Sequence, residues 1–154
     1  LADHLRLQFY GVMWSATGID QAYTLDYTHA QRDLDAEEGY YGWTTEGIPE
    51  EGLTFDLISA GMQIAGEVPV ILVNEPILIS EGENSDIRYN YYYPRWVYDD
   101  YRQAFSEGCS TKGWTCLDLW DIVPQENFTN TAIHRDVQGE RLYTQEIINS
   151  GVIR

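Results

Sequence analysis

The sequence predicts an α/β fold built around a parallel sheet, and three observations carry that expectation. Val68-Pro69-Val70-Ile71-Leu72-Val73 is a short apolar run rich in β-branched residues, the composition of a strand covered on both faces. It stops abruptly at Asn74-Glu75-Pro76. Polar groups at the carboxyl end of such a strand lie where open α/β sheets hold their ligands. A helix-patterned segment precedes the run by one tight turn, and a second apolar segment, Trp114 to Leu119, follows it by one helix. Strand, helix, strand in that order makes parallel neighbours joined by a right-handed crossover.

Taken in order, Leu1 to Thr17 reads as a helix, with Leu5, Phe9, Val12 and Ala16 on one face and Gly18 as its stop. Leu7, Tyr10, Met13 and Trp14 make it apolar on other sides too, so it is expected to be buried or to meet a partner. Residues 20–51 form a long acidic connection punctuated by Tyr23, Tyr27, Tyr40, Tyr41 and Trp43. Such lengths without periodicity are functional or mobile. An alternative is that Tyr40 to Thr44 supplies a further strand. His29 lies in this stretch without a second His or Cys at ligand spacing and reads as a surface residue.

Thr54 is the expected N-cap of a helix from Phe55 to Ala65, with Leu57, Ile58, Gly61, Met62 and Ala65 inward and Gly66 as its end. After the first strand come Ile77-Leu78-Ile79-Ser80 and a polar loop over 81–86. Ser85, in that loop, lacks the glycine frame of a nucleophile elbow and reads as a loop or capping serine. Tyr91-Tyr92-Tyr93-Pro94 opens the next helix, with Pro94 in its first turn, Val97, Tyr101, Ala104 and Phe105 as its buried stripe, and Gly108 as its end. Asp118 and Asp121 surround the end of the second strand. The last helix is expected from Asp136, its cap, to Asn149, with Leu142, Tyr143, Ile147 and Ile148 inward and Gly151 just beyond.

Composition bounds the function. The chain has 154 residues, is 44% hydrophobic and suits a single α/β domain over 1–154 or the C-terminal fragment of one. Nine Lys and Arg against 25 Asp and Glu give a net charge of −16, which argues against nucleic acid and against anionic lipid surfaces. No apolar run reaches the roughly 18 residues of a membrane span. The chain opens at Leu1, already inside an apolar pattern, so a processed or truncated start is expected. Cys109 and Cys116 complete no metal set with a nearby His, so no metal and no cofactor are expected. The two thiols are either free or bridged across a local loop, and a bridge would suit an extracytoplasmic or secreted protein. Asn127-Phe128-Thr129 is a glycosylation sequon, meaningful only in a eukaryotic secretory host.

The strongest candidate for chemistry is His134, on the loop before the last helix and at the carboxyl edge of the expected sheet, where it can serve as a general base. The segment Phe128 to Gly139 resembles the terminal motif of the SGNH (GDSL-like) hydrolases, in which a His is followed two positions on by a capping residue, five positions on by a Gly, and then by a closing amphipathic helix. His134, Asp136 and Gly139 match that spacing. The order of elements from Thr54 to Ile148, with Arg88-Tyr89-Asn90 in a loop, matches as well. The resemblance implies a three-layer α/β/α sandwich with a parallel, flavodoxin-like sheet. It also implies hydrolysis of an ester or acyl group by Ser and His.

Two departures stand out. The family's Asp, three residues before the His, is Thr131 here, and the nearest polar residue is Asn130. The Gly-Asp-Ser nucleophile triplet occurs nowhere in the chain, and the first strands of such a sheet are missing with it. The expectation is therefore an SGNH-like domain lacking its N-terminal strands, with His134 and Asn130 as catalytic residues and Asn74, Glu75 and Arg88 as substrate contacts. Its substrate would be a small-molecule or carbohydrate ester, the aromatic residues suiting sugar stacking, and a second chain could carry the N-terminal part. The competing expectation is a non-catalytic binding or assembly module on the same scaffold.

Overall fold

The computed structural model describes residues 2–17, 28–43, 47–49 and 52–152. Gly18, Tyr23, Tyr27 and Thr44 fall outside them. The described chain is mixed α/β, with four helices and a two-stranded parallel sheet: α1 (Ala2–Thr17), α2 (Phe55–Ala65), β1 (Ile71–Asn74), α3 (Arg95–Lys112), β2 (Thr115–Asp118) and α4 (Val137–Asn149). The strands run in register from Ile71 beside Thr115 to Asn74 beside Asp118. Among the described residues each strand has a neighbour on one side only.

β1 was expected to be covered on both faces, but Ile71, Leu72 and Val73 are only half-buried. Two short strands make too narrow a sheet to be sandwiched. The core instead lies beyond the strand ends. Past Asn74 the chain continues extended, and its alternate side chains enter two clusters, as the period of an extended chain requires. Ile77 packs with Tyr89 and Tyr98, and Leu78 with Ala30, Val123, Phe128 and Ala132. Backbone bonds hold this segment in place: Ile77 N–H to Trp120 C=O at 3.0 Å, Leu78 N–H to Ala132 C=O at 2.7 Å, and Ser80 N–H to Tyr89 C=O at 2.7 Å.

Most of the aromatic residues after Tyr89 are interior rather than a surface platform. Tyr89, Tyr93, Tyr98, Tyr101 and Trp120 form one continuous set of ring contacts, with Arg95 over Tyr89 and Arg102 over Trp120 at 4.3 and 4.1 Å. α3 packs on β2 and buries Val97, Tyr98 and Phe105; Tyr98 takes the central place expected of Tyr101. Pro94 caps this helix from outside its first turn. The helix passes Gly108 and ends only at Gly113, whose left-handed φ of 68° lets its N–H reach the carbonyl of Cys109.

The disulfide Cys109–Cys116, with Cα atoms 6.1 Å apart, ties this last turn of α3 to β2. Closing so short a loop stabilises by about 2.5 kcal/mol in the chain-entropy account. Replacing both cysteines with serine is expected to lower the unfolding free energy by that order in urea denaturation. A change below about 0.5 kcal/mol would show that the bridge constrains nothing that matters.

Two apolar helix faces lie uncovered among the described residues. Every described side chain of α1 is exposed, including Phe9 at 72% and Trp14 at 58%. α2 buries no residue, and Leu57, placed on its inner stripe by periodicity, is 66% exposed. Apolar periodicity marks a face that wants cover, and the described residues hold no surface wide enough to cover both helices. Thr54 makes no side-chain cap bond, whereas Asp136 caps α4 by accepting from Gly139 N–H. Ile148 of α4 is exposed, while Leu142, Tyr143 and Ile147 are half-buried.

The long connection is pinned where it is described. Ala30 N–H bonds to Thr129 C=O at 2.7 Å, Leu34 N–H to Glu83 C=O at 3.0 Å, and Trp96 Nε1 donates to Glu38 C=O at 2.6 Å. The strap passes so close to the polar loop that a Cβ on Gly82 would sit 2.5 Å from the carbonyl oxygen of Arg32. Tyr40 and Trp43 pair across a tight turn, with Tyr41 and Gly42 at φ of 48° and 84°. This is a single bridge and not the further strand considered above.

Candidate functional site

The last loop carries the site. It leaves the turn Gln125–Asn127, makes a sharp excursion through 129–134, and enters α4. Thr131 Oγ1 accepts from the backbone N–H of Ile133 at 3.3 Å and of His134 at 2.9 Å, closing the excursion. Thr129 N–H bonds back to His134 C=O at 2.8 Å. These bonds present the His134 ring to solvent with Nδ1 3.1 Å from Asn130 Oδ1. An amide oxygen can only accept, so this contact is a hydrogen bond in the tautomer with the proton on Nδ1, in which Nε2 carries the lone pair. The orienting residue thus stands four positions before the His, not three; Thr131, at the family's position, shapes the backbone instead.

Arg135 fixes this loop to the end of β1. Its side chain is 7% exposed, and Glu75 and Glu140 are its ion-pair partners at 3.2 and 2.9 Å. It also donates to the carbonyls of Pro76 and Ile133 and lies 4.7 Å from the centroid of the Tyr143 ring. Glu75, expected as a substrate contact, is therefore joined to the residue next to His134. Periodicity and motif spacing gave no sign of Arg135, because its partner lies 60 residues away. Gly139 is equally constrained: a Cβ there would meet Arg135 Cβ at 3.0 Å and the carbonyl oxygen of Asn127 at 3.1 Å.

Asn74 and Arg88 are engaged within the chain. Asn74 Nδ2 donates to Asp118 Oδ1 at 2.8 Å, Tyr98 Oη donates to Asn74 Oδ1 at 3.1 Å, and Arg102 pairs with Asp118 at 2.8 Å. This network joins the carboxyl ends of the two strands. Burial pushes the Tyr98 phenol well above its ordinary range. Arg88 is buried and donates to the carbonyls of Asn90, Glu37 and Tyr91, which makes it a brace between two backbone segments. The sequon residue Asn127 spends its Nδ2 on the capping carboxylate of Asp136.

Among the described residues no serine bonds to His134. Ser80 is buried, donates to the Arg32 carbonyl and accepts from Gly82 N–H, and Ser85 uses its carbonyl to hold Arg95. Among the described residues no three His, Cys, Asp or Glu side chains converge on a metal-sized site, and no helix is long and apolar enough to cross a membrane. Comparison of the chain with protein-family models, with characterised proteins and with solved structures finds no match.

Proposed function

We propose that this chain carries the base half of an SGNH-like ester or acyl hydrolase site. The observation that carries the reading is the exposed His134 ring held at 3.1 Å by Asn130 with the lone pair on Nε2. In acyl transfer a residue so placed takes the proton of an attacking hydroxyl. The one-sided pairing of β1 and β2 and the uncovered apolar faces of α1 and α2 support a larger three-layer sheet domain, completed by a segment or second chain that brings the serine. The disulfide supports an extracytoplasmic setting. A second reading, a binding or assembly module on this scaffold, draws on a different observation: Ser80, the serine nearest the strand end in sequence, is locked in backbone bonds.

The test is hydrolysis of a short-chain aryl ester by the longest native polypeptide carrying this sequence and by residues 1–154 alone, each with and without His134→Ala. Turnover by the former that is lost on substitution, with only background from the latter, is the expected result. Turnover by neither would leave the binding module as the reading. Turnover by residues 1–154 that depends on His134 would place the nucleophile inside this chain.

A further inference from the structure

Residues 35–41 of the strap and the aromatic run at Tyr91-Tyr92 line an open cleft of about 280 Å³. That is near the lower end of ligand pockets, roughly 300–1,000 Å³. Tyr40, Tyr41, Tyr91 and Tyr92 line it together with Asp35 and Glu37. The Tyr40 and Tyr41 rings meet edge-on, 4.8 Å apart at 88°, and Tyr91 and Tyr92 lie 4.4 Å apart. Arg88 also borders the cavity, but its Nε and both terminal nitrogens are held by carbonyls. The carboxylates of Asp35 and Glu37 have no ion pair or hydrogen bond among the described residues. The walls are held before any ligand arrives, because Arg88 fixes the Glu37 carbonyl at 2.5 Å and Trp96 fixes that of Glu38 at 2.6 Å.

We infer that this cavity binds an organic cation, an alkylated ammonium group of about the size of choline. Tyrosine rings attract cations through the quadrupole at their faces, and the carboxylates of Asp35 and Glu37 outweigh the one Arg88 guanidinium in the lining, so the cavity keeps an excess of negative charge that favours a cation over an anion. A neutral sugar would use the rings and could donate hydroxyls to the carboxylates but would lack the charge attraction, which the glucoside measurement below separates. The cavity shares Tyr91 with the site described above: Tyr91 Oη accepts from Ala132 N–H at 3.0 Å, two residues from His134. The inference goes beyond the hydrolase reading, since equilibrium binding needs no nucleophile and succeeds or fails independently of turnover.

The experiment is titration calorimetry of the 154-residue chain with choline, with its neutral isostere 3,3-dimethylbutan-1-ol, and with methyl β-glucoside. Choline is expected to bind at one saturable site, about tenfold more tightly than the isostere, and to weaken as salt rises. The double variant Asp35→Asn/Glu37→Gln is expected to lose about tenfold, and Tyr92→Leu, which keeps apolar bulk but removes the ring, about threefold. Both carboxylates are exposed, so their replacement disturbs no packing, and circular dichroism is the check that each variant folds. Failure of choline to bind, equal binding of the isostere, tighter binding of the glucoside, or an unchanged double variant would each overturn the inference.

Discussion

Replacing Arg135 with alanine lowers the stability of this protein by about 3 kcal/mol and releases the loop that carries His134. The side chain is 7% exposed, while its partners Glu75 and Glu140 are about half exposed, at 50% and 51%. Breaking a fully buried pair costs about 3–5 kcal/mol, and water that reaches the two carboxylates here reduces that cost. The carbonyls of Pro76 and Ile133 lose a charged donor, and Tyr143 loses the guanidinium over its ring. Arg135→Lys is expected to recover only part of the loss, because one ammonium cannot satisfy partners spread over a planar fork. Urea denaturation of both variants measures the stability, and amide exchange at His134 and Asp136 measures the release. An Arg135→Ala cost below about 1 kcal/mol would mean that the loop is held by its own turn bonds.

The second large effect is alkaline unfolding. Burial raises the phenol pKa of Tyr98, Tyr101 and Tyr89, the nearby charge of Asp118 adding to it at Tyr101 and the hydrogen bond to Asp99 at Tyr89. Tyr40, Tyr91, Tyr93 and Tyr143 are raised by burial as well. Below pH about 10 the phenols are protonated in both folded and unfolded chains and contribute no pH dependence. Above it the unfolded chain ionises while the folded one keeps its protons, so stability falls as pH rises. Tyr98 alone, 4% exposed, contributes a slope of about 1.4 kcal/mol per pH unit until its own folded pKa is reached. The protein is expected to unfold cooperatively between pH 10 and 12, with a step in tyrosinate absorbance at 295 nm that coincides with the loss of ellipticity. Ellipticity that survives to pH 12, with no such step, would overturn this.

Much of this architecture is legible in the sequence because it is local. The limits of α2, the caps of α4 and the parallel order of the two strands follow from periodicity, from Gly66 and Asp136, and from one helix standing between two apolar runs. What pattern reading misses is set by distant contacts. Gly108 looks like a stop, yet α3 continues to Lys112, because a glycine within a helix costs only about 1 kcal/mol and the left-handed turn at Gly113 supplies a better end. Periodicity identifies the apolar faces of α1 and α2 but cannot say whether anything lies against them. Of the candidate site, His134 is visible through its spacing to Asp136 and Gly139. Asn130 is visible only as the nearest polar residue, and Arg135 is not visible at all. The cavity at Tyr40 to Tyr92 depends on two segments about 50 residues apart in sequence, joined by the Arg88 bond to Glu37.

The one-sided pairing of β1 and β2 also governs how copies of this protein treat one another. A strand without a second neighbour offers its free backbone groups as a template for intermolecular pairing. Within Ile71–Asn74 there is no proline, lysine or acid to discourage it. At neutral pH a charge of −16 keeps the chains apart. As acid titrates the carboxylates towards the isoelectric point near 4.2, that repulsion vanishes while the edges remain available. Mild acid is therefore where association of copies of residues 1–154 through these edges is expected, read as light scattering that rises as pH falls towards the isoelectric point.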